Sequence, residues 1–165
     1  MIGRGARRCV VLGATGAALA LGIASGGHAE SEFANLPCVD VGANLKEAPD
    51  DFGLSEASLR EALSTGLQAR LPQLAIHSAC GDTLRLVVVL TSPSPEVFYG
   101  TADMALLRRA IVVDTGQFVR SEVWRMTYVL YGPPTSAKDQ LLELVNEMLT
   151  RFAADFNRIT NSCSG

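Results

Sequence analysis

Residues 101–132 read TADMALLRRAIVVDTGQFVRSEVWRMTYVLYG, and this stretch decides the fold. Val112, Val113, Phe118, Val119, Val123, Trp124, Tyr128, Val129 and Tyr131 are β-branched or aromatic. Such side chains suit a pleated, half-buried surface. Asp114-Thr115-Gly116 between the two runs fits a three-residue hairpin loop, a type I turn followed by a glycine at positive φ. That loop sets Val113 against Gln117. Counting outward, Arg108 faces Glu122, Leu106 faces Trp124, Met104 faces Met126 and Ala102 faces Tyr128. Cross-strand pairs of these kinds contribute about 0.2–1 kcal/mol each. A two-residue Thr115-Gly116 loop is the alternative, and it pairs Arg109 with Glu122 and Leu107 with Trp124. In either register both faces carry apolar side chains: Trp124, Met126, Tyr128 and Leu130 on one, Val119, Val123 and Val129 on the other. An antiparallel sheet with one wet face alternates more cleanly, so each face is expected to be covered.

The flanking sequence supplies the remaining elements. Leu36–Leu45 alternates as a first strand, with Val39, Val41 and Ala43 on one face. A polar loop at 47–53 contains Asp50-Asp51. Ser55 then caps a helix, with Glu56 in the first turn where the helix dipole favours acids. Leu59, Leu63, Leu67 and Leu71 form its apolar stripe, and Pro72 stops it. Leu74–His77 is a short strand, and Cys80-Gly81-Asp82 turns the chain into Leu84–Thr91. The run of apolar residues at 86–90 marks a strand covered on both sides. Ser92-Pro93-Ser94-Pro95 is a rigid polar connection into the hairpin. After Gly132-Pro133-Pro134, Ser136 caps a second helix, with Asp139 in place of the longer acid of a capping box. Its buried stripe is Leu141, Leu142, Val145, Met148, Leu149, Phe152, Phe156 and Ile159. The order β-α-β-β-β-β-α predicts an α+β domain, a five-stranded antiparallel-rich sheet with two helices packed on one face. Helices about 10 Å apart cover one face of strands about 4.8 Å apart, so the second apolar face lacks a cover within the chain.

Residues 1–29 read as a secretory signal. Arg4, Arg7 and Arg8 precede an apolar run at 10–24, and Gly27-His28-Ala29 offers small residues for cleavage after Ala29. Arg7-Arg8 is similar to the start of a twin-arginine signal, but the tail of that motif is imperfect, so general secretion is the favoured route and twin-arginine export the alternative. Residues 30–165 then form one domain with an ordered core over about 36–158. The expectation is a protein exported to the periplasm of a two-membrane cell or secreted, with no transmembrane domain in the mature chain. The whole chain carries a formal charge of −3, and losing three arginines makes it more acidic. Lys46 and Lys138 are its lysines. Such a surface argues against nucleic acid as a partner.

Three cysteines follow the signal: Cys38, Cys80 and Cys163. An oxidising compartment favours a disulfide, and three single pairings exist. If the elements alternate up and down, Cys80 and Cys163 share the end opposite Cys38. That favours Cys80–Cys163, at about 2–4 kcal/mol; three thiols are the alternative. No C-x-x-C pair is present, so zinc and thiol exchange are unsupported.

Motifs for chemistry are sparse. His77 is the sole histidine after the signal, and in a strand it reads as structural. The G-x-S-x-G, H-E-x-x-H, P-loop and dinucleotide-binding patterns are missing from the sequence. Asp50-Asp51 reads as solvated turn, and Glu122 as the ion-pair partner of Arg108 or Arg109. No catalytic residue, metal ligand or cofactor is assigned. The candidate binding residues are Val123, Trp124, Met126 and Tyr128, with Arg108 and Arg109 as a guanidinium pair able to meet an anion.

The element order over 36–158 resembles small envelope domains of bacteria: the lipopolysaccharide-assembly lipoprotein of the outer membrane and the auxiliary lipoproteins of ABC-type lipid transporters. The chain departs from these in having no lipid-anchor cysteine. The central Trp124 strand and the C-terminal helix ending in Phe152–Asn157 are also similar to exported bacterial proteins of unassigned function. Pattern and resemblance together imply a non-enzymatic binding or assembly module acting through a sheet face, by a protein partner or by self-association. The alternatives are an inhibitor or chaperone-like partner of an exported enzyme, and a small hydrolase with an unrecognised site.

Overall fold

The computed structural model describes residues 36–47 and 52–162. The expected signal, Asp50-Asp51 and Cys163 lie outside them. The order is β1 (Cys38–Lys46), α1 (Glu56–Arg70), β2 (Ala75–Ile76), β3 (Thr83–Ser94), β4 (Val97–Ile111), β5 (Phe118–Gly132), a 3₁₀ turn (Pro134–Ser136) and α2 (Ala137–Ser162). This is the α+β order read from sequence.

The sheet runs β2-β1-β3-β4-β5. It is mixed: β1 is parallel to both β2 and β3, while β3–β4 and β4–β5 are antiparallel. Hydrophobic patterning shows which residues are buried but not which strand neighbours which, so the antiparallel-rich expectation needs this correction. The parallel pairs follow from α1. A helix between β1 and β2 is a crossover, and crossovers join parallel strands. Because β1 lies between β2 and β3, the chain from His77 to Asp82 passes across the start of β1. It is bonded there on both sides, His77 N–H to Val39 O at 3.1 Å and Asp40 N–H to Asp82 O at 2.8 Å.

This crossing also corrects the disulfide. Cys80 pairs with Cys38, with Cα atoms 5.9 Å apart, not with Cys163. The up-and-down count assumed that β2 ends at the far side of the sheet from Cys38. A strand of two residues parallel to the start of β1 keeps both cysteines at one end.

α1 begins where expected. The Ser55 hydroxyl accepts from Ser58 N–H, and the Ser58 hydroxyl accepts in return from Ser55 N–H. Both helices cover one face of the sheet. Val39, Val41, Leu84, Leu86, Val88, Met104 and Leu106 meet Leu59, Leu63, Leu67, Leu141, Met148 and Phe152 in one core. The helices approach closely at Gly66, where a Cβ would lie 2.6 Å from Leu149 Cδ1. Arg70 fastens the seam by donating to Thr150 Oγ1 at 3.1 Å and to Asn146. The polar connection expected at 92–95 is instead mostly strand: β3 continues to Ser94 and only Pro95-Glu96 turn.

Candidate interaction surface

β4 and β5 are 15 residues each, longer than β3 at 12. The last β3–β4 pair is Thr83 with Leu107. Beyond it, Arg108–Ile111 and Phe118–Ser121 pair only with each other within the sheet. Four pairs at about 3.4 Å per residue give an arm about 14 Å long, closed by a turn in which Gly116 N–H reaches Val112 O at 2.7 Å and Gly116 has φ 65°. The arm is apolar and exposed: Ile111 58%, Val113 92%, Phe118 69% and Val119 42%.

The hairpin register corrects the sequence reading in part. Ala102–Tyr128, Met104–Met126 and Leu106–Trp124 pair as the three-residue loop demands. A bulge between Leu106 and Leu107 then shifts the partners, so Glu122 faces Leu107, Arg108 faces Ser121 and Arg109 faces Arg120. Val112 rather than Val113 bonds Gln117, which gives a four-residue loop. Val123 is the extra residue of the bulge. A bulge turns the strand locally, and here Val123 and Trp124 both pack against the core.

The expected Glu122 ion pair with Arg108 or Arg109 is therefore absent from the described contacts. Glu122 lies 3.6 Å from Arg125 on its own strand. Arg108 instead donates from Nε to Asp82 Oδ2 at 3.1 Å, and Arg109 N–H donates to Asp82 Oδ1 at 3.2 Å. Asp82 is 9% exposed, and its carboxylate roots the arm to the crossing loop. The Arg109 guanidinium lies over the Phe118 ring at 5.9 Å, within cation–π range. Sequence reading treated Asp82 as a turn residue. The missed signal was a lone acid beside the cysteine of a crossing loop, whose role depends on strand order.

Trp124, Met126 and Tyr128 face α2 and are half-buried. Trp124 Nε1 donates to Asp155 Oδ2 at 3.1 Å, and its ring meets Phe152 edge-on at 5.1 Å. Tyr128 O–H donates to Glu147 Oε1 at 2.8 Å, and this bond holds the phenol pKa above its ordinary value. The opposite sheet face is less apolar than the sequence pattern implied. Its middle carries Asp103, which accepts from Arg125 Nε at 2.7 Å and Thr127 Oγ1 at 2.8 Å. Asp103 and, secondarily, Glu122 hold the Arg125 guanidinium pKa up. Exposed apolar groups remain at the far end of this face, Tyr99, Val129 and Tyr131.

β5 is the last strand of the sheet, with one edge unpaired. At its C-terminal end that edge and α2 bound an open groove of about 370 Å³, lined by Val129, Tyr131 and Leu144 with Glu143 and Glu147. Among the described residues no cluster of three His, Cys, Asp or Glu side chains is placed to hold a metal, and no helix is long and apolar enough to cross a membrane.

No family model matches the sequence, and no curated protein does. Solved structures with a similar arrangement include a PelC dodecamer from Paraburkholderia phytofirmans. It is 17% identical, covers 68% of this chain and 84% of that one, and has a TM-score of 0.42. A candidate lipoprotein from Caulobacter crescentus is 13% identical, covers 84% and 99%, and has a TM-score of 0.37. A minor lipoprotein from Acinetobacter baumannii is 13% identical, covers 74% and 95%, and has a TM-score of 0.33.

Proposed function

We propose that this chain is an exported, non-enzymatic binding or assembly module whose contact surface is the β4–β5 arm together with the open edge of β5. The carrying observation is the arm itself: a two-stranded ribbon that leaves Ile111, Val113 and Phe118 in water. An isolated ribbon is marginally stable, and exposed apolar patches of this kind mark contact sites. The Cys38–Cys80 disulfide supports export, since such bonds persist in oxidising compartments. On this reading Val123, Trp124, Met126 and Tyr128 hold α2 beneath the edge strand, and Arg108 and Arg109 root and shape the arm.

A photo-crosslinking side chain at position 113 or 118, introduced in the living cell, tests the reading. Position 65, on the exposed side of α1, is the control. Adducts confined to the arm positions are expected. Equal labelling at position 65, or none at the arm, would remove the basis for the reading.

A further inference from the structure

We infer that the arm of one copy docks into the β5–α2 groove of another copy of this chain. The inference rests on the reading above and names its partner. The two surfaces complement each other in chemistry. On one face of the arm, Phe118 and Ile111 form an apolar pair flanked by Arg109 and Arg120. These two arginines stand directly opposite each other, and like charges so placed repel. Acidic groups between or beside them relieve that repulsion. The groove presents the counterpart, with Val129, Tyr131 and Leu144 beside the exposed acids Glu143 and Glu147. The exposed apolar groups of the fold concentrate at these two places, Ile111–Val119 on the arm and Tyr99, Val129 and Tyr131 near the groove.

A copy cannot satisfy its own groove. Phe118 opens β5 and Val129–Tyr131 close it, and eleven or more residues of strand at about 3.4 Å each hold them roughly 40 Å apart. The contact is therefore between molecules. It also offers the unpaired edge of β5 an occupant, since a ribbon lying along it can add main-chain hydrogen bonds. Because arm and groove are unlike surfaces, a copy with a damaged arm still offers a good groove, and the reverse.

Complementation is the test, by sedimentation velocity on the full gene product purified from an exporting host. The arm variant carries Phe118→Asp and Arg120→Glu. The groove variant carries Val129→Asp and Glu143→Lys. All four positions are exposed, and Trp124 emission checks that each variant is folded. Wild type is expected to associate, with at least tenfold weakening in 1 M salt as the charges are screened. Each variant alone is expected to be monomeric. The groove variant keeps an intact arm and the arm variant an intact groove, so a mixture of the two is expected to form mixed complexes. Monomeric wild type, an arm variant that still associates, or a mixture that stays monomeric would each overturn the inference. Monomeric wild type combined with arm-specific crosslinks to another protein in the cell would sink self-docking and leave the proposed function standing.

Discussion

Replacing Asp82 by alanine should unhinge the arm while leaving the body of the fold in place. The carboxylate makes two bonds at the arm's base, 3.1 Å from Arg108 Nε and 3.2 Å from the Arg109 amide. Both bonds end on the carboxylate, and a hydrogen bond to a charged group contributes about 1.5–3 kcal/mol. The pair is partly shielded, with 23% of the Arg108 side chain and 12% of the Asp82 side chain exposed. Partial exposure lowers the ionic part, so Asp82→Ala should cost about 2–3 kcal/mol in urea unfolding. Asp82→Asn keeps an acceptor for the Arg109 amide and should cost about 1 kcal/mol less. The loss should be local. β3 does not pair with Arg108–Ile111, and among the described contacts Asp82 and the β4–β5 ladder restrain the arm at its root. Amide exchange at 108–111 and 118–121 should accelerate at least tenfold, while Leu84–Leu90 changes in step with global stability alone. Equal arm exchange in Asp82→Ala and wild type would refute the anchoring role. So would a destabilisation under about 0.5 kcal/mol.

Three other outcomes follow from the same contacts. Replacing Cys38 and Cys80 together by serine releases a loop of sequence separation 42 and should lower stability by up to about 4 kcal/mol on the chain-entropy account, read as a fall in the urea midpoint that dithiothreitol reproduces in wild type. Tyr128 should ionise at higher pH than an unperturbed phenol, whose pKa is about 10, because its O–H donates to Glu147. The folded pKa is the raised one, so the bond's contribution is complete below about pH 10 and fades as pH rises through the folded value; an ultraviolet titration in which Tyr128→Phe leaves the last-titrating phenol in place would contradict this. Gly100→Ala should destabilise by about 2–3 kcal/mol, since the new methyl would overlap the Val89 carbonyl and sit 2.6 Å from Leu90 Cδ2; an unchanged thermal midpoint would refute that close packing.

The parts legible in sequence were those governed by local chemistry. The Ser55 cap, the leucine stripe of α1 and the pairs Leu106–Trp124 and Met104–Met126 depend on neighbours or on one hairpin, and the structure has them. The misread parts depend on strand order. Cys38–Cys80 and Asp82–Arg108 join segments 42 and 26 residues apart, and both exist because β1 is inserted between β2 and β3. Periodicity holds no information about that insertion. The bulge was hidden for a different reason. Val123 and Trp124 are adjacent apolar residues, and strict alternation has to assign them to opposite faces, whereas a bulge lets both pack on the core.

The bulge also bears on the arm. A strand that kept the Leu106–Trp124 register to its end would set Arg108 against Glu122 and close that ion pair within the ribbon. The extra residue breaks this pairing and moves Arg120 opposite Arg109. Arg108 is then drawn to Asp82 at the root, and two cations stand across from each other beside the apolar pair Ile111–Phe118. That arrangement is poor for an isolated hairpin, since like charges directly opposite destabilise a ribbon. It suits a ribbon whose stability is completed by an acidic, apolar surface. Deleting Val123 should remove the bulge and keep the outer pairs, with Glu122 still opposite Leu107 and Arg109 still opposite Arg120. The deletion removes a side chain packed on the core and the local twist of the bulge, but it leaves every arm side chain on its own face. Urea unfolding should therefore show a less stable fold, while sedimentation should show that a folded deletion variant still self-associates, since Phe118, Arg109 and Arg120 keep their face. A folded deletion variant that stayed monomeric would show that the face presented by Phe118 and Arg120 is not by itself what the partner reads.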